Sequence, residues 1–217
     1  MVFTQAHEAN GRDSFLDRLE TSYEKRSLVH LGAGSHVPLL KKKVWLVVRG
    51  MVKLSAISIH GDELLLGLAG PNEPFGDPLT NVEAYDAQTL MDSDLLCLSC
   101  EELAESPHLS TAVLQGTAAR YRQSEALLAL LGLRRIEDRV RGFLELLAND
   151  YGQPCDQGLR LNVKLTHQEL ASALSTTRVT VTRVLGHLRA EGWLHINKDR
   201  LLIIAHQPLK NQRAIRA

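Results

Sequence analysis

A chain of 217 residues with 44% hydrophobic and 23% charged side chains has the composition of a soluble globular protein with room for two modest domains. It has no apolar run long enough to suggest a membrane span. Its formal net charge of 0 hides an asymmetry: residues 134–217 carry fourteen Lys and Arg against eight Asp and Glu, whereas residues 1–133 carry eleven against seventeen. A basic half of this kind is the electrostatic footprint of nucleic-acid binding. No basic segment, apolar core and small-residue cleavage site opens the chain, so a cytoplasmic address is expected.

The first half is strand-rich. Residues 44–54, VWLVVRGMVKL, alternate around Gly50, and Ile57, Ile59 and then residues 64–68 flank HGDE, a hairpin turn signal. Gly32, Gly34, Gly50, Gly61, Gly67, Gly70 and Gly76 punctuate the run, as short strands with frequent turns require, and the pattern predicts a small antiparallel β-roll. Cys97 and Cys100 form a C-x-x-C in LLCLSC. That segment alternates like a strand, which sends residues three apart to opposite faces, so buried reduced thiols are expected rather than a zinc site. A four-cysteine iron–sulfur site cannot be assembled from the three cysteines of one chain.

A long helix is predicted over 110–133, with Leu114, Tyr121 and Leu128 seven apart and Leu131 near its end. Thr117, Ala118, Ser124 and Glu125 interrupt the stripe, leaving a narrow seam suited to a second helix, and a symmetric homodimer would bury it. Residues 132–136 break the pattern before a further helix at 137–150 and form a natural hinge.

Residues 165–205 read as a complete DNA-reading device. A positioning helix at 168–174 carries Leu170, Ala171 and Leu174 at helical spacing, with Thr166 and Glu169 as capping-box partners. Ser175 and Thr176 turn the chain into a second helix at 177–191, whose buried stripe is Val181, Val184, Leu185 and Leu188. Its outward face presents Thr177, Arg178, Val179, Thr182 and Arg183 in the first two turns, where a helix entering a major groove meets base edges. Arginine spans guanine O6 and N7 with two bonds, and valine packs on a thymine methyl. Gly192 ends the helix, and residues 196–204 form a two-strand wing whose Lys198 and Arg200 can approach phosphates.

This segment resembles the winged helix-turn-helix of the CRP/FNR superfamily of bacterial transcription regulators. Within it, THQELASALSTTRVTVTRVLGHLRAEG is most similar to the cyanobacterial NtcA-type group, where a T-R-V-T-V-T-R run opens the recognition helix; CRP itself has Glu where this chain has Val179. With the resemblance added, the base-reading set is Arg178, Val179, Thr182 and Arg183, and the phosphate-contacting set is Thr166, His167, Gln168, Thr177, Thr180, Lys198 and Arg200. The likeness implies a GTA/TAC-type palindrome. The segment WLVVRGMVKLSAISIHGDELLLGLAGPNEPFGD resembles the cyclic-nucleotide-binding domain of the same superfamily, so the resemblance spans residues 28–205. The expected fold is α+β: a β-roll at 1–108, a dimerisation helix at 109–133 and a winged helix-turn-helix domain at 134–217.

The resemblance also points to an effector site made of Phe75, Gly76, Asp77, Arg120 and Glu125. Cyclic-AMP members hold their phosphate with an arginine, but here its place falls in VEAYDAQ, where Glu83 and Asp86 would repel an anion, so cyclic AMP is rejected. NtcA-type members take 2-oxoglutarate. Arg120 and Glu125 match that site, while its companion arginine falls on Glu83; weak or absent binding is expected, with a seam salt bridge between Arg120 and Glu125 as the other reading. Arg135 stands where family members carry a helix-capping Asp. Lys41, Lys42 and Lys43 read as a solvated turn, although by resemblance exposed roll surfaces touch RNA polymerase.

Two other functions fit parts of the sequence less well. Nine histidines on a strand-rich roll invite a metal-binding cupin-like enzyme, but His30, His36 and His60 lack the H-x-H pair that sets two imidazoles on one strand face. A ligand-binding module whose helix-turn-helix mediates protein contacts would differ from a DNA reader in lacking steep salt dependence. The expectation is therefore a homodimer on double-stranded DNA, with no catalytic residue, metal, cofactor or membrane partner.

Overall fold

The computed structural model describes residues 27–205; the N-terminal stretch behind the expected cytoplasmic address and the outer ends of both terminal domains lie outside the described residues. The first seven strands are β1 (Val29–Leu31), β2 (Lys43–Arg49), β3 (Val52–Ile57), β4 (Glu63–Ala69), β5 (Pro74–Phe75), β6 (Tyr85–Thr89) and β7 (Ser93–Ser99). They form two antiparallel sheets, ordered β1-β7-β2-β5 and β4-β3-β6, which close on a core of Val37, Trp45, Val47, Val52, Leu54, Phe75, Ala87 and Leu95. The β-roll expected from alternation is present. The segment around Gly50, however, is two strands in different sheets. Gly50 sits at φ 100, and a Cβ there would collide with Ser93, so it is the corner where the chain crosses between sheets. At the β3–β4 hairpin the Ser58 hydroxyl accepts from the backbone N–H groups of His60 (3.2 Å) and Asp62 (3.1 Å). Ile59 lies in that turn rather than in a strand and is 96% exposed.

Helix α1 (Cys100–Glu105) starts from a capping box between Ser99 and Glu102, so Cys97 lies on a strand and Cys100 opens a helix; both are unpaired, as is Cys155. Burial pushes the Cys97 thiol up from its usual range. Helix α2 (Pro107–Leu131) begins three residues before its predicted start, because Ser106 caps it and Pro107 suits the first turn. One face, Leu109, Ala112, Val113, Gly116, Gln123 and Leu127, is buried; at Gly116 a Cβ would collide with the Asn72 carbonyl and Pro74, so the helix lies directly on the roll. Helix α3 (Ile136–Tyr151) follows the expected break. Arg135 is its N-cap with no side-chain cap bond. Arg139 braces the junction instead, donating from Nε to the Leu133 carbonyl (2.8 Å) and from Nη1 to the Leu174 carbonyl (3.3 Å).

The remaining elements are β8 (Gly152–Cys155), β9 (Gly158–Leu161), α4 (His167–Ala173), α5 (Arg178–Ala190), β10 (Leu194–Ile196) and β11 (Leu202–Ala205). The wing is not a free two-strand hairpin: its sheet has the order β10-β11-β9-β8. Residues 152–161 show no alternation and include Pro154 and two glycines, so it is pairing, of β9 with β11 and of β8 with β9, that makes strands of them. The buried cluster of this region includes Phe143, Leu147, Leu170, Val181, Leu185, Leu188 and Trp193, and it also takes in Met51 and Leu68 of the roll and Leu127 of α2. Roll, long helix and reader thus share continuous apolar packing, and the orientation of the reader relative to the roll is set by buried side chains. Among the described residues no helix is long and apolar enough to cross a membrane.

Candidate nucleic-acid interface

The reader is assembled by its caps and its buried stripe. Thr166 accepts from the Glu169 N–H (3.1 Å) while the Glu169 carboxylate accepts from the Thr166 N–H (2.6 Å), the reciprocal pair expected from the sequence. Thr177 caps α5 by accepting from the Thr180 N–H (3.2 Å), and Ser175 takes φ 50 to turn the chain between the helices. Val181, Val184, Leu185 and Leu188 are buried, which forces Arg178, Val179, Thr182 and Arg183 outward; Val179 is 79% exposed. Val179 thus places a small apolar surface between the two arginines on the outward face of α5.

Thr166, His167 and Gln168 from the start of α4 face Arg178 across an open notch, which brings members of both predicted sets together. Thr182 is less free than its position suggested. Its hydroxyl donates to the Arg178 carbonyl (2.9 Å), which leaves it to accept from His167 Nδ1 (2.8 Å). Outward, Thr182 therefore offers its methyl. Thr177 and Thr180 bond each other through their hydroxyls (2.9 Å), so the cap and the predicted phosphate contact share one site. At the wing tip Asn197 Oδ1 accepts from the N–H groups of Asp199 (3.0 Å) and Leu201 (2.8 Å), and Arg200 takes φ 64; Lys198 and Arg200 are both exposed.

The far end of α5 is tied to α3. Arg141 Nη2 lies 2.6 Å from Glu191 and 3.5 Å from Glu137, its guanidinium 4.7 Å over the Trp193 ring, and His187 Nε2 is 3.2 Å from Glu191. Glu137, His187 and Glu191 are the one group of metal-type ligands close enough to share an ion among the described residues, and Arg141 already supplies a cation there. His30 and His36 each face a carboxylate, Asp94 and Asp86 respectively.

The predicted seam is open. Leu114, Tyr121 and Leu128 are 69%, 64% and 72% exposed along one face of α2, opposite the face that packs on the roll, and Leu131 is half-buried. Three large side chains a heptad apart on a 25-residue helix form an unfilled stripe.

A family model described as a Crp-like helix-turn-helix domain matches residues 138–211. The global nitrogen regulator of Nostoc sp. is 34% identical over 181 residues, 79% of this chain and 80% of that one. The chain belongs to the CRP/FNR family. The regulatory protein CysR of Synechococcus elongatus is 31% identical over 179 residues, covering 81% of this chain and 82% of its own. Among solved structures, a CRP/FNR-family transcriptional regulator of Thermus thermophilus superposes with a TM-score of 0.66 at 25% identity, covering 82% of this chain and 93% of that one. This CRP/FNR regulator is thus a DNA-binding transcription regulator that works as a homodimer on a palindromic site.

The regulator's five predicted effector positions do not form one cluster. Phe75 is in the roll core. A Cβ on Gly76, at φ 137, would lie 2.8 Å from the Lys43 carbonyl, so that glycine serves the roll's own packing, and Asp77 is exposed. Glu125 is exposed on α2, where its hydrogen bond to the Tyr121 phenol raises that group's pKa. Arg120 faces β4 instead, which removes it from the seam; its Nε and Nη1 are buried with no hydrogen-bond partner. Asp86 pairs with His36 (3.0 Å) and Glu83 is exposed, while Tyr85 packs against the roll core, close enough to feel the Arg120 charge; burial nevertheless raises its phenol to about 12.

Around Arg120 lies a buried polar set that no local pattern announced. The Glu73 carboxylate accepts from the Gly70 N–H (2.8 Å) and the Tyr151 hydroxyl (2.7 Å), the Tyr151 hydroxyl accepts from Gln123 Nε2 (2.7 Å), and Gln123 Oε1 accepts from the Leu68 N–H (2.8 Å). These residues come from the roll, α2 and the last residue of α3, so only the fold joins them. Burial pushes the Glu73 carboxyl above its usual value, against the lowering effect of its two hydrogen bonds and of Arg120. A raised pKa in the folded state favours folding below the unfolded value, and that contribution is lost as pH rises through the folded value. Relative to Glu73→Gln, the wild-type protein is therefore expected to gain stability as pH falls towards the ordinary glutamate range; urea unfolding of both proteins across that interval measures it, and parallel pH profiles would contradict it.

Proposed function

We propose that this regulator reads an NtcA-like GTA/TAC-type palindrome with Arg178, Val179 and Arg183 on base edges, and that Thr166, His167, Gln168, Thr177, Thr180, Lys198 and Arg200 hold phosphates. The observation that carries the reading is the outward projection of Arg178, Val179 and Arg183 from the first two turns of α5, beside the notch opened by Thr166, His167 and Gln168. Thr182 contributes its methyl rather than its hydroxyl, because that hydroxyl is already bonded twice. The protein is a cytoplasmic regulator and not an enzyme, and its roll surface, including Lys41, Lys42 and Lys43, meets RNA polymerase.

The roll works without cyclic AMP and binds 2-oxoglutarate weakly or not at all. Supporting this, Arg120 is the one base that acts on both Glu73 and Tyr85, a buried carboxyl stands beside it, and Glu125 points elsewhere. A dicarboxylate there would meet one positive group and one acid. In vitro selection of DNA sites, run with and without 2-oxoglutarate and cyclic AMP, tests the whole reading: a GTA/TAC-type site with unchanged enrichment in all arms is expected. Micromolar 2-oxoglutarate affinity by calorimetry, abolished in Arg120→Ala, would overturn the effector part, and selection of an unrelated site the reading part.

A further inference from the structure

Gly186 stands in the third turn of the recognition helix, where nothing inside the protein needs a glycine. It is exposed, it is absent from the residues with positive φ, and a Cβ built on it meets no atom within 4 Å. A glycine inside a helix costs about 1 kcal/mol relative to alanine, and this one is not offset by any close approach within the chain. Its position is on the reading face. It follows Val179 by seven residues and Arg183 by three, and the buried stripe of Val181, Val184, Leu185 and Leu188 lies on the opposite side. Ala190, the next outward position one turn on, is also small and exposed.

Seven residues of helix advance about 10 Å along the axis, close to the ~12 Å width of the major groove. If the turn carrying Val179 lies over base edges, the turn carrying Gly186 lies near the groove wall. We infer that Gly186 is where the DNA sugar–phosphate backbone passes against the helix, its missing side chain setting how deeply α5 seats and extending the contact surface into the third turn. The inference rests on the reading of α5 as the recognition helix and adds a residue whose part is to be absent as a side chain.

The test uses the full-length protein and two variants, Gly186→Ala and Gly186→Lys, measured for thermal unfolding and for binding to the selected operator and to a scrambled duplex at fixed salt. Gly186→Ala is expected to unfold about 2–4 °C higher than wild type while binding both duplexes about tenfold more weakly. Loss on both is expected because the contact is with the backbone. Gly186→Lys is expected to bind more weakly still despite its added charge. Wild-type affinity in Gly186→Ala, tighter binding in Gly186→Lys, or a loss confined to the operator would overturn the inference. Failure of the underlying reading looks different: wild type itself would show no salt-dependent binding to either duplex.

Discussion

Arg178→Ala or Arg183→Ala is expected to cost about 1–3 kcal/mol of operator affinity and to relax sequence preference at one base position in each half-site, with little change on scrambled DNA. Both side chains are exposed, so neither substitution removes a buried contact, and the folded stability of each variant should stay close to wild type. Their effect has a built-in contrast in the wing. Lys198, exposed beyond the Asn197-organised turn, is proposed as a phosphate contact, so Lys198→Ala should weaken all sequences alike and lower the salt slope by about 1. Repeating the site selection with the three variants measures both effects. If Arg178→Ala and Arg183→Ala leave the preferred site unchanged, base recognition lies elsewhere on the reader.

Leu128→Asp is expected to have a still larger effect on operator binding. Burying a leucine contributes about 1.5–3 kcal/mol, and a two-fold seam contains each substitution twice, so dimerisation should weaken by about a hundredfold or more before the cost of burying a carboxylate is added. The protomer itself should fold normally, since Leu128 is 72% exposed on the face of α2 turned away from the roll. The palindrome would then be read by single protomers, each holding one half-site about 34 Å from the next. Light scattering at micromolar concentration and operator titration check the two consequences. A variant that stays dimeric and binds as before would remove the Leu114, Tyr121 and Leu128 stripe from the interface.

The start of α3 is braced from one turn inside the helix rather than from its N-cap. Arg135 makes no cap bond, yet Arg139, one turn further on, reaches back to the Leu133 carbonyl and across to the Leu174 carbonyl. The same guanidinium therefore joins the junction between α2 and α3 to the end of the positioning helix α4. The N-cap residue alone does not describe how this junction is held, because the partners that hold it are set in three dimensions.

The parts of this regulator that local physics dictates were legible in its residues. A capping box at Thr166 and Glu169, a buried stripe on α5 at helical spacing and the heptad run of Leu114, Tyr121 and Leu128 depend only on neighbours within a few turns, so periodicity and capping chemistry reveal them directly. Alternation and turn glycines likewise announced the roll. What tertiary structure alone decided is whatever joins distant segments. Residues 158–161 become a strand because β11 offers them free backbone groups, they in turn pair residues 152–155, and Gly50 turns one alternating run into strands of two sheets. Arg120 and Glu125 are close in sequence yet face the roll and the solvent, while Glu73, Gln123 and Tyr151, far apart in sequence, share one hydrogen-bonded chain. Period and capping are read over one or two turns of chain, whereas a buried polar set is defined by desolvation and by partners from different elements, and these exist only once the elements have packed.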